Sequence, residues 1–205
     1  MSTYVEKESQ RDGGAGKGGL GKEGLLLRWA VIAAMIALAA ILRIVPHPWN
    51  LTPIGAMALF SGSMFRQKWI AFVFPLAALM AGDAVIGFYK LMIVVYASFA
   101  ISVAIGRWLG ENRTVARIGG AVLLGALQFF CVTNFVIWAL GGFYPKTLQG
   151  LSTCFAAAVP FFWNTLAGDA LYAGVLFGGF ALAERLVPAL RLREDPDTNG
   201  LIAGQ

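Results

Sequence analysis

The stretch PLAALMAGDAVIGF, residues Pro75–Phe88, is an apolar run that nevertheless carries a carboxylate, Asp83. A second run, PFFWNTLAGDALY at Pro160–Tyr172, repeats the four residues AGDA and places Asp169 in a similar setting. Of the 11 acidic residues in the chain, these two alone lie inside long hydrophobic runs. A carboxylate at membrane depth is costly unless it is protonated, paired or facing a wet cavity, so both aspartates are predicted to be functional.

The bulk composition is that of a membrane protein. Hydrophobic residues make up 58% of the 205-residue chain, and charged residues only 13%; soluble domains have about 25% charged residues. The net charge of +5 could indicate nucleic-acid binding, but the basic residues are scattered beside apolar spans, so we expect no nucleic-acid partner. The sequence therefore predicts an all-α integral membrane protein embedded in a lipid bilayer.

Six apolar spans predict a six-helix transmembrane domain over residues 25–190, between a disordered tail at 1–24 and a polar tail at 191–205. The spans are expected at 25–45, 54–65, 69–88, 91–109, 118–142 and within 151–187, the last with an interfacial piece and a restart at Pro160. The second span is too short to cross a bilayer, which needs about 20 apolar residues. Short spans in transporters often lie at the binding site.

The basic residues predict the orientation. Six spans place both termini on one side, and that side collects 13 of the 16 Lys and Arg residues. Only Arg43, Lys90 and Lys146 fall on the opposite side. The positive-inside rule therefore predicts that both termini, and both tails, are cytoplasmic.

The AGDA recurrence has two interpretations. Asn50 precedes Asp83 by 33 residues and Asn134 precedes Asp169 by 35. This spacing is consistent with two three-helix halves of inverted topology, a 3+3 arrangement that is common in transporters. The match is short, and chance recurrence in an Ala- and Gly-rich chain is the other interpretation.

A small-molecule pocket is predicted beneath the external surface, with aromatic walls and a few polar groups that fix the orientation of the ligand. The predicted substrate-binding residues are Asn50, Asp83, Asn134, Trp138, Trp163, Asn164 and Asp169. For the tryptophans the alternative is an ordinary interfacial belt. For Asn134, Asn164 and the two aspartates the alternative is hydrogen bonding between helices.

Four small residues, Ala30, Ala33, Ala37 and Ala40, follow helical spacing and share one face of the first helix. Small side chains let another helix approach closely, and close packing is a principal source of helix association in lipid. This alanine face is predicted to pack against a partner helix or against the protein's own helices, and the sequence leaves both open.

No motif predicts an enzyme. The chain has no G-x-S-x-G or H-E-x-x-H motif, and His47 is its one histidine. Cys131 and Cys154 lack metal-ligand spacing and are predicted to be free thiols. We therefore expect no catalytic residue, no bound metal and no cofactor.

Four motifs carry a family resemblance: NLTPIGAMALFSG (Asn50–Gly62), GDAVIGFY (Gly82–Tyr89), FFCVTNFVIWALGGFYPKTLQGL (Phe129–Leu151) and PFFWNTLAGDALYAGVLF (Pro160–Phe177). Over residues 29–187 the chain resembles a family of small bacterial membrane proteins that is similar to the substrate-binding S components of energy-coupling-factor (ECF) vitamin transporters. The resemblance implies a six-helix bundle in the bacterial cytoplasmic (inner) membrane, with a pocket that is accessible from outside.

The resemblance further implies that the protein binds a vitamin or similar micronutrient for uptake, with an ECF transmembrane coupling subunit and ATPases as partners. The alanine face is compatible with contact to that coupling subunit. Two other functions remain open from the residues alone. One is a solitary proton-coupled carrier that uses Asp83 or Asp169 as a relay, and the other is a non-transporting membrane scaffold.

Overall fold

The fold is all-helical in the part of the chain that the structure, a computed structural model, describes: residues 22–42 and 51–191. The helices are α1 (Lys22–Leu42), α2 (Ile54–Met64), α3 (Lys68–Ile86), α4 (Met92–Leu109), α5 (Val115–Leu140) and α6 (Leu148–Leu186), followed by a 3-10 turn at Pro188–Leu190. The predicted all-α class is confirmed. Because α1 begins at Lys22, it includes the last three residues of the tail predicted for 1–24; the rest of that tail, and residues 192–205, lie outside the described ranges.

Five of these helices, α1, α3, α4, α5 and α6, are long and apolar enough to cross a membrane. The sixth, α2, has only 11 residues, which agrees with the short second span expected from the sequence. This set of helices is that of a multi-pass membrane protein.

The longest helix, α6, is continuous over 39 residues with Pro160 inside it. The expected interfacial piece with a restart at Pro160 is therefore wrong. Proline removes one backbone donor and crowds the preceding turn, but apolar helix continues on both sides of it. At about 1.5 Å per residue, α6 is about 58 Å long, nearly twice the hydrocarbon thickness of about 30 Å.

The connections define two ends of the bundle. Residues 51–53, 87–91 and 141–147 lie at what we call the top end, and residues 65–67, 110–114 and 187–191 lie at the bottom end. Of the basic residues that the structure describes, only Lys90 and Lys146 lie at the top end.

Helix α2 forms the centre of the bundle. Every one of its residues is buried, and it contacts each of the five longer helices. Phe60, at the middle of α2, packs edge-to-face against Phe177 and Phe180 of α6, with ring centroids 5.3 and 5.9 Å apart. The architecture is thus a short central helix surrounded by five helices of membrane length.

The tightest crossing is between α2 and α4, and it depends on two glycines. A Cβ atom added at Gly62 would overlap the backbone carbonyl of Val103, and one added at Gly106 would overlap that of Leu59. Small residues allow helix backbones in membranes to approach this closely.

Two arginines cap the C-terminal end of α2. Arg113 donates a hydrogen bond to the Ser63 carbonyl at 3.1 Å, and Arg107 donates one to the Phe65 carbonyl at 3.2 Å. The last carbonyls of a helix lack partners within the helix, and this end carries partial negative charge that attracts cations. The two guanidinium groups meet both requirements.

A third arginine ties α1 to the rest of the bottom end. Arg28 is only 3% exposed and donates to Glu184 and to the Leu190 carbonyl, each at 2.5 Å. Its guanidinium also lies 4.8 Å from the centre of the Phe180 ring. Burial, and then the nearby charge of Arg28, lower the pKa of the neighbouring Arg113 from its ordinary value.

The alanine face of α1 lies mostly outside the core. The buried side of α1 is formed by Arg28, Ile32, Ile36 and Ala39. In contrast, Ala30 and Ala37 are exposed, and Ala33 and Ala40 are half-buried. Most of the face therefore remains open to lipid or to another helix.

The α2–α4 crossing generates a test by substitution. Gly62→Ala should lower stability by about 1–3 kcal/mol, because the added methyl meets a backbone atom that cannot rotate away. Gly120→Ala is the matched control, since its Cβ would enter open space and alanine favours helix by about 1 kcal/mol. Melting temperatures of the purified variants should fall for the first and hold or rise for the second; equal effects would contradict the packing described.

The buried ion pair generates a second test. Glu184→Gln leaves the Arg28 guanidinium buried without its counter-charge and should cost about 2 kcal/mol. The double variant Arg28→Met with Glu184→Gln removes the buried charge and should recover part of that loss. Thermal unfolding of the three proteins measures this, and a double variant less stable than the single one would contradict the electrostatic explanation.

Candidate binding site

The carboxylate of Asp169, a residue of α6, lies at the N-terminus of α2. Its side chain is 4% exposed, and its Oδ1 accepts a hydrogen bond from the Ala56 amide at 3.1 Å. The Gly55 amide also donates to this carboxylate. The first amides of a helix have no partner within it and carry partial positive charge, so the Asp169 carboxylate satisfies both needs.

Glycines make this approach possible. A Cβ at Gly55 would overlap both carboxylate oxygens of Asp169, and a Cβ at Gly168 would come within 3.1 Å of the Thr52 amide nitrogen. The proline at Pro53 fits the start of α2, where a missing backbone donor costs nothing. The local sequence TPIGA thus produces a helix N-terminus that a carboxylate from α6 can reach.

Two cavities lead from Asp169 toward the top end. The deeper one has a volume of about 220 Å³, and the outer one about 440 Å³. Both are lined by Tyr89, Val95, Phe129 and Thr165, so they adjoin each other. We call them together the top cavity.

The outer part of the top cavity is walled by aromatic side chains. They are Tyr89, Phe129, Phe130, Tyr144, Phe161 and Phe162. The Phe130 and Phe162 rings pack with centroids 5.3 Å apart. Apolar and aromatic walls with a few polar groups are typical of small-molecule sites.

Three polar side chains that line the cavity each donate a hydrogen bond to a carbonyl of their own helix. Thr133 donates to the Phe129 carbonyl at 2.7 Å, and Asn134 donates to the Phe130 carbonyl at 2.8 Å. Thr165 likewise donates to the Phe161 carbonyl at 3.0 Å. The oxygens of these three side chains can still accept a hydrogen bond.

Two of the predicted residues, Asn134 and Asp169, line the top cavity. Asp83 does not line it. The Asp83 carboxylate is 0% exposed and accepts a hydrogen bond from the Tyr96 hydroxyl at 2.9 Å. That bond joins α3 to α4, which is the helix-to-helix role weighed as the alternative for this residue.

Neither predicted tryptophan lines the top cavity. Trp138 donates its indole hydrogen to the Pro145 carbonyl at 2.9 Å, and Lys146 lies 5.7 Å from the centre of its ring. These contacts hold the α5–α6 turn. Trp163 is 60% exposed and packs against Phe162 on the outside of the bundle.

The two remaining predicted residues are Asn164 and Asn50. Asn164 is half-buried and is not among the residues that line the top cavity. Asn50 lies outside the described residues, as does His47. Their predicted roles stay predictions.

Helical spacing could have identified further residues of the site. Phe161 and Thr165 precede Asp169 by eight and four residues, so all three lie on one face of α6. Phe130 likewise precedes Asn134 by four residues on α5. Gly55 gave no such signal, because its importance comes from contact with a distant helix.

A larger cavity of about 750 Å³ lies at the bottom end between α5 and α6. Its walls are mainly apolar or small, including Val122, Gly174 and Phe177, and Arg113 and Glu184 also line it. None of the predicted site residues lines it.

Within the described ranges, the cysteines and the other potential metal-ligating side chains form no metal site. Cys131 is exposed and Cys154 is buried, and both are free thiols. The Cys154 thiol donates to the Asn134 carbonyl at 3.6 Å. In the described part of the chain, no three His, Cys, Asp or Glu side chains are grouped so that they could hold a metal ion.

Comparison with known proteins identifies the family of this chain. No match is found among curated proteins or among solved structures. A family model described as "Family of unknown function (DUF6580)" matches residues 24–190, which include all six helices except the first two residues of α1. The chain therefore belongs to the DUF6580 family.

Proposed function

We propose that the protein is the substrate-binding component of a membrane transport system and that it takes up a vitamin or similar micronutrient, as ECF S components do. The observation that carries the proposal is the top cavity. It combines aromatic walls, a few polar groups and a buried carboxylate, Asp169, at the end of a central helix.

The size of the top cavity supports this proposal. Its two parts, about 440 and 220 Å³, together fall in the range of small-molecule sites, about 300–1,000 Å³. A short helix that ends inside the bundle is also a common feature of transporter binding sites, because its terminus faces the substrate.

The charge distribution supports an orientation in the bacterial inner membrane. The described basic residues lie at the bottom end, apart from Lys90 and Lys146. The positive-inside rule assigns such an end to the cytoplasm. The top cavity then opens toward the outside, as a component that captures nutrients requires.

This orientation also explains why the larger bottom cavity is not our candidate uptake site. It would lie at the cytoplasmic end, where substrate from outside arrives only after transport.

Uptake through such a component requires energy that partner subunits supply. We propose an ECF transmembrane coupling subunit and ATPases as the partners, with the open alanine face of α1 as a contact surface. The alternative of a solitary proton-coupled carrier differs in one respect that can be measured: uptake by a carrier would continue without any ATPase subunit.

The first experiment is to identify what the protein carries. We expect mass spectrometry of gently purified protein to detect a released small molecule of the vitamin class, together with co-purifying coupling and ATPase subunits. Protein that carries no ligand, and whose deletion leaves vitamin uptake unchanged, would refute the proposed function.

A pair of variants locates the ligand in the top cavity. Ala158 is buried and lines this cavity, so Ala158→Phe should fill it and abolish ligand retention. Ala156→Phe is the matched control, because Ala156 is exposed on the same helix and does not line the cavity. Melting temperatures verify that both variants fold; equal ligand retention by the two would place the ligand elsewhere.

A further inference from the structure

The charge of the top cavity bears on the class of substrate, and this inference rests on the proposed function. Among the described residues that line the cavity, Asp169 is the only Asp or Glu, and no Lys, Arg or His is present. Within the same described ranges, no basic side chain forms an ion pair with Asp169. The described lining therefore carries one acidic group and no basic group.

The Asp169 carboxylate keeps capacity for a ligand. An ionised carboxylate has about four acceptor positions, and the Gly55 and Ala56 amides use two of them. A buried charge is costly unless it is paired. A cation in the deeper part of the cavity would supply a counter-charge to Asp169 and favour its ionised form.

Three other polar groups of the cavity can accept a hydrogen bond from a ligand. The hydroxyl hydrogens of Thr133 and Thr165, and one amide hydrogen of Asn134, are bound to carbonyls of their own helices. The oxygens of these side chains can still accept. A ligand with N–H groups can donate to these oxygens.

The aromatic walls suit a flat cation. Phe129, Phe130, Phe161 and Phe162 all line the outer part of the cavity. Cations are attracted to the faces of such rings, more strongly where water is excluded. A planar group also stacks against rings at little cost in conformational freedom.

We infer that the substrate is a planar organic cation with several N–H donors, such as an amidinium, a guanidinium or a protonated nitrogen heterocycle. The cationic group lies in the deeper part of the cavity against Asp169, and the flat apolar part lies between the aromatic walls. Neutral analogues bind more weakly, and anionic analogues bind most weakly.

Three probes of one shape and different charge test the inference: benzamidine, benzamide and benzoate, which are cationic, neutral and anionic at neutral pH. Binding to the full-length protein in nanodiscs is measured by equilibrium dialysis. Because a hydrogen bond to a charged group contributes about 1.5–3 kcal/mol, benzamidine should bind about tenfold or more tightly than benzamide. Benzoate should bind most weakly of the three.

Two matched variants assign the preference. Asp169→Asn removes the charge but keeps an acceptor for the Gly55 and Ala56 amides, so the preference for benzamidine over benzamide should fall to near unity while benzamide still binds. Glu111→Gln makes the same chemical change on an exposed residue at the bottom end, and it should keep the preference. If Asp169→Asn does not fold, loss of benzamidine binding in Ala158→Phe, with binding retained in Ala156→Phe, replaces it as the assignment to this cavity.

The outcomes separate this inference from the proposed function. Equal or tighter binding of benzamide or benzoate, a preference that Asp169→Asn leaves unchanged, or no binding of any probe would each overturn the inference. A neutral or anionic vitamin released from the purified protein would also overturn it while leaving the transport function standing. A released cationic molecule would support both.

Discussion

The structure depends on how the two ends of α2 are satisfied. An 11-residue helix is about 16 Å long and is buried at the centre of a bundle that membrane-length helices surround. Its first amides and last carbonyls have no partners within the helix and must find them elsewhere. Asp169 binds the N-terminal amides, and Arg113 and Arg107 bind the C-terminal carbonyls, so each end has a charge of the sign that the helix dipole favours.

The short length of α2 also explains where the cavities are. A helix of about 16 Å cannot fill a layer of about 30 Å, so space remains beyond each of its ends. The top cavity includes Gly55 near the first residue of α2, and the bottom cavity includes its last residue, Met64. The contact between Asp169 and α2 therefore stabilises the fold and at the same time forms the floor of the candidate site.

The two AGDA segments illustrate why one motif can have two uses. Both aspartates are buried, yet Asp83 binds the Tyr96 hydroxyl of α4 whereas Asp169 binds backbone amides of α2. The difference arises from the element that each carboxylate faces. Local sequence places a carboxylate on a helix, but the neighbouring helices decide what it contacts.

The sequence by itself determined the helical class, the five long helices and the short second span, because apolar run length and composition are local properties. It also singled out Asp169 and Asn134, which line the top cavity, because polar groups in apolar runs are conspicuous. Only the tertiary structure decided that α2 is central, that Gly55 admits the Asp169 carboxylate, that Trp163 faces outward and that α6 continues through Pro160. These depend on contacts between residues far apart in the chain, such as the 113 positions that separate Ala56 from Asp169, and local pattern carries no information about them.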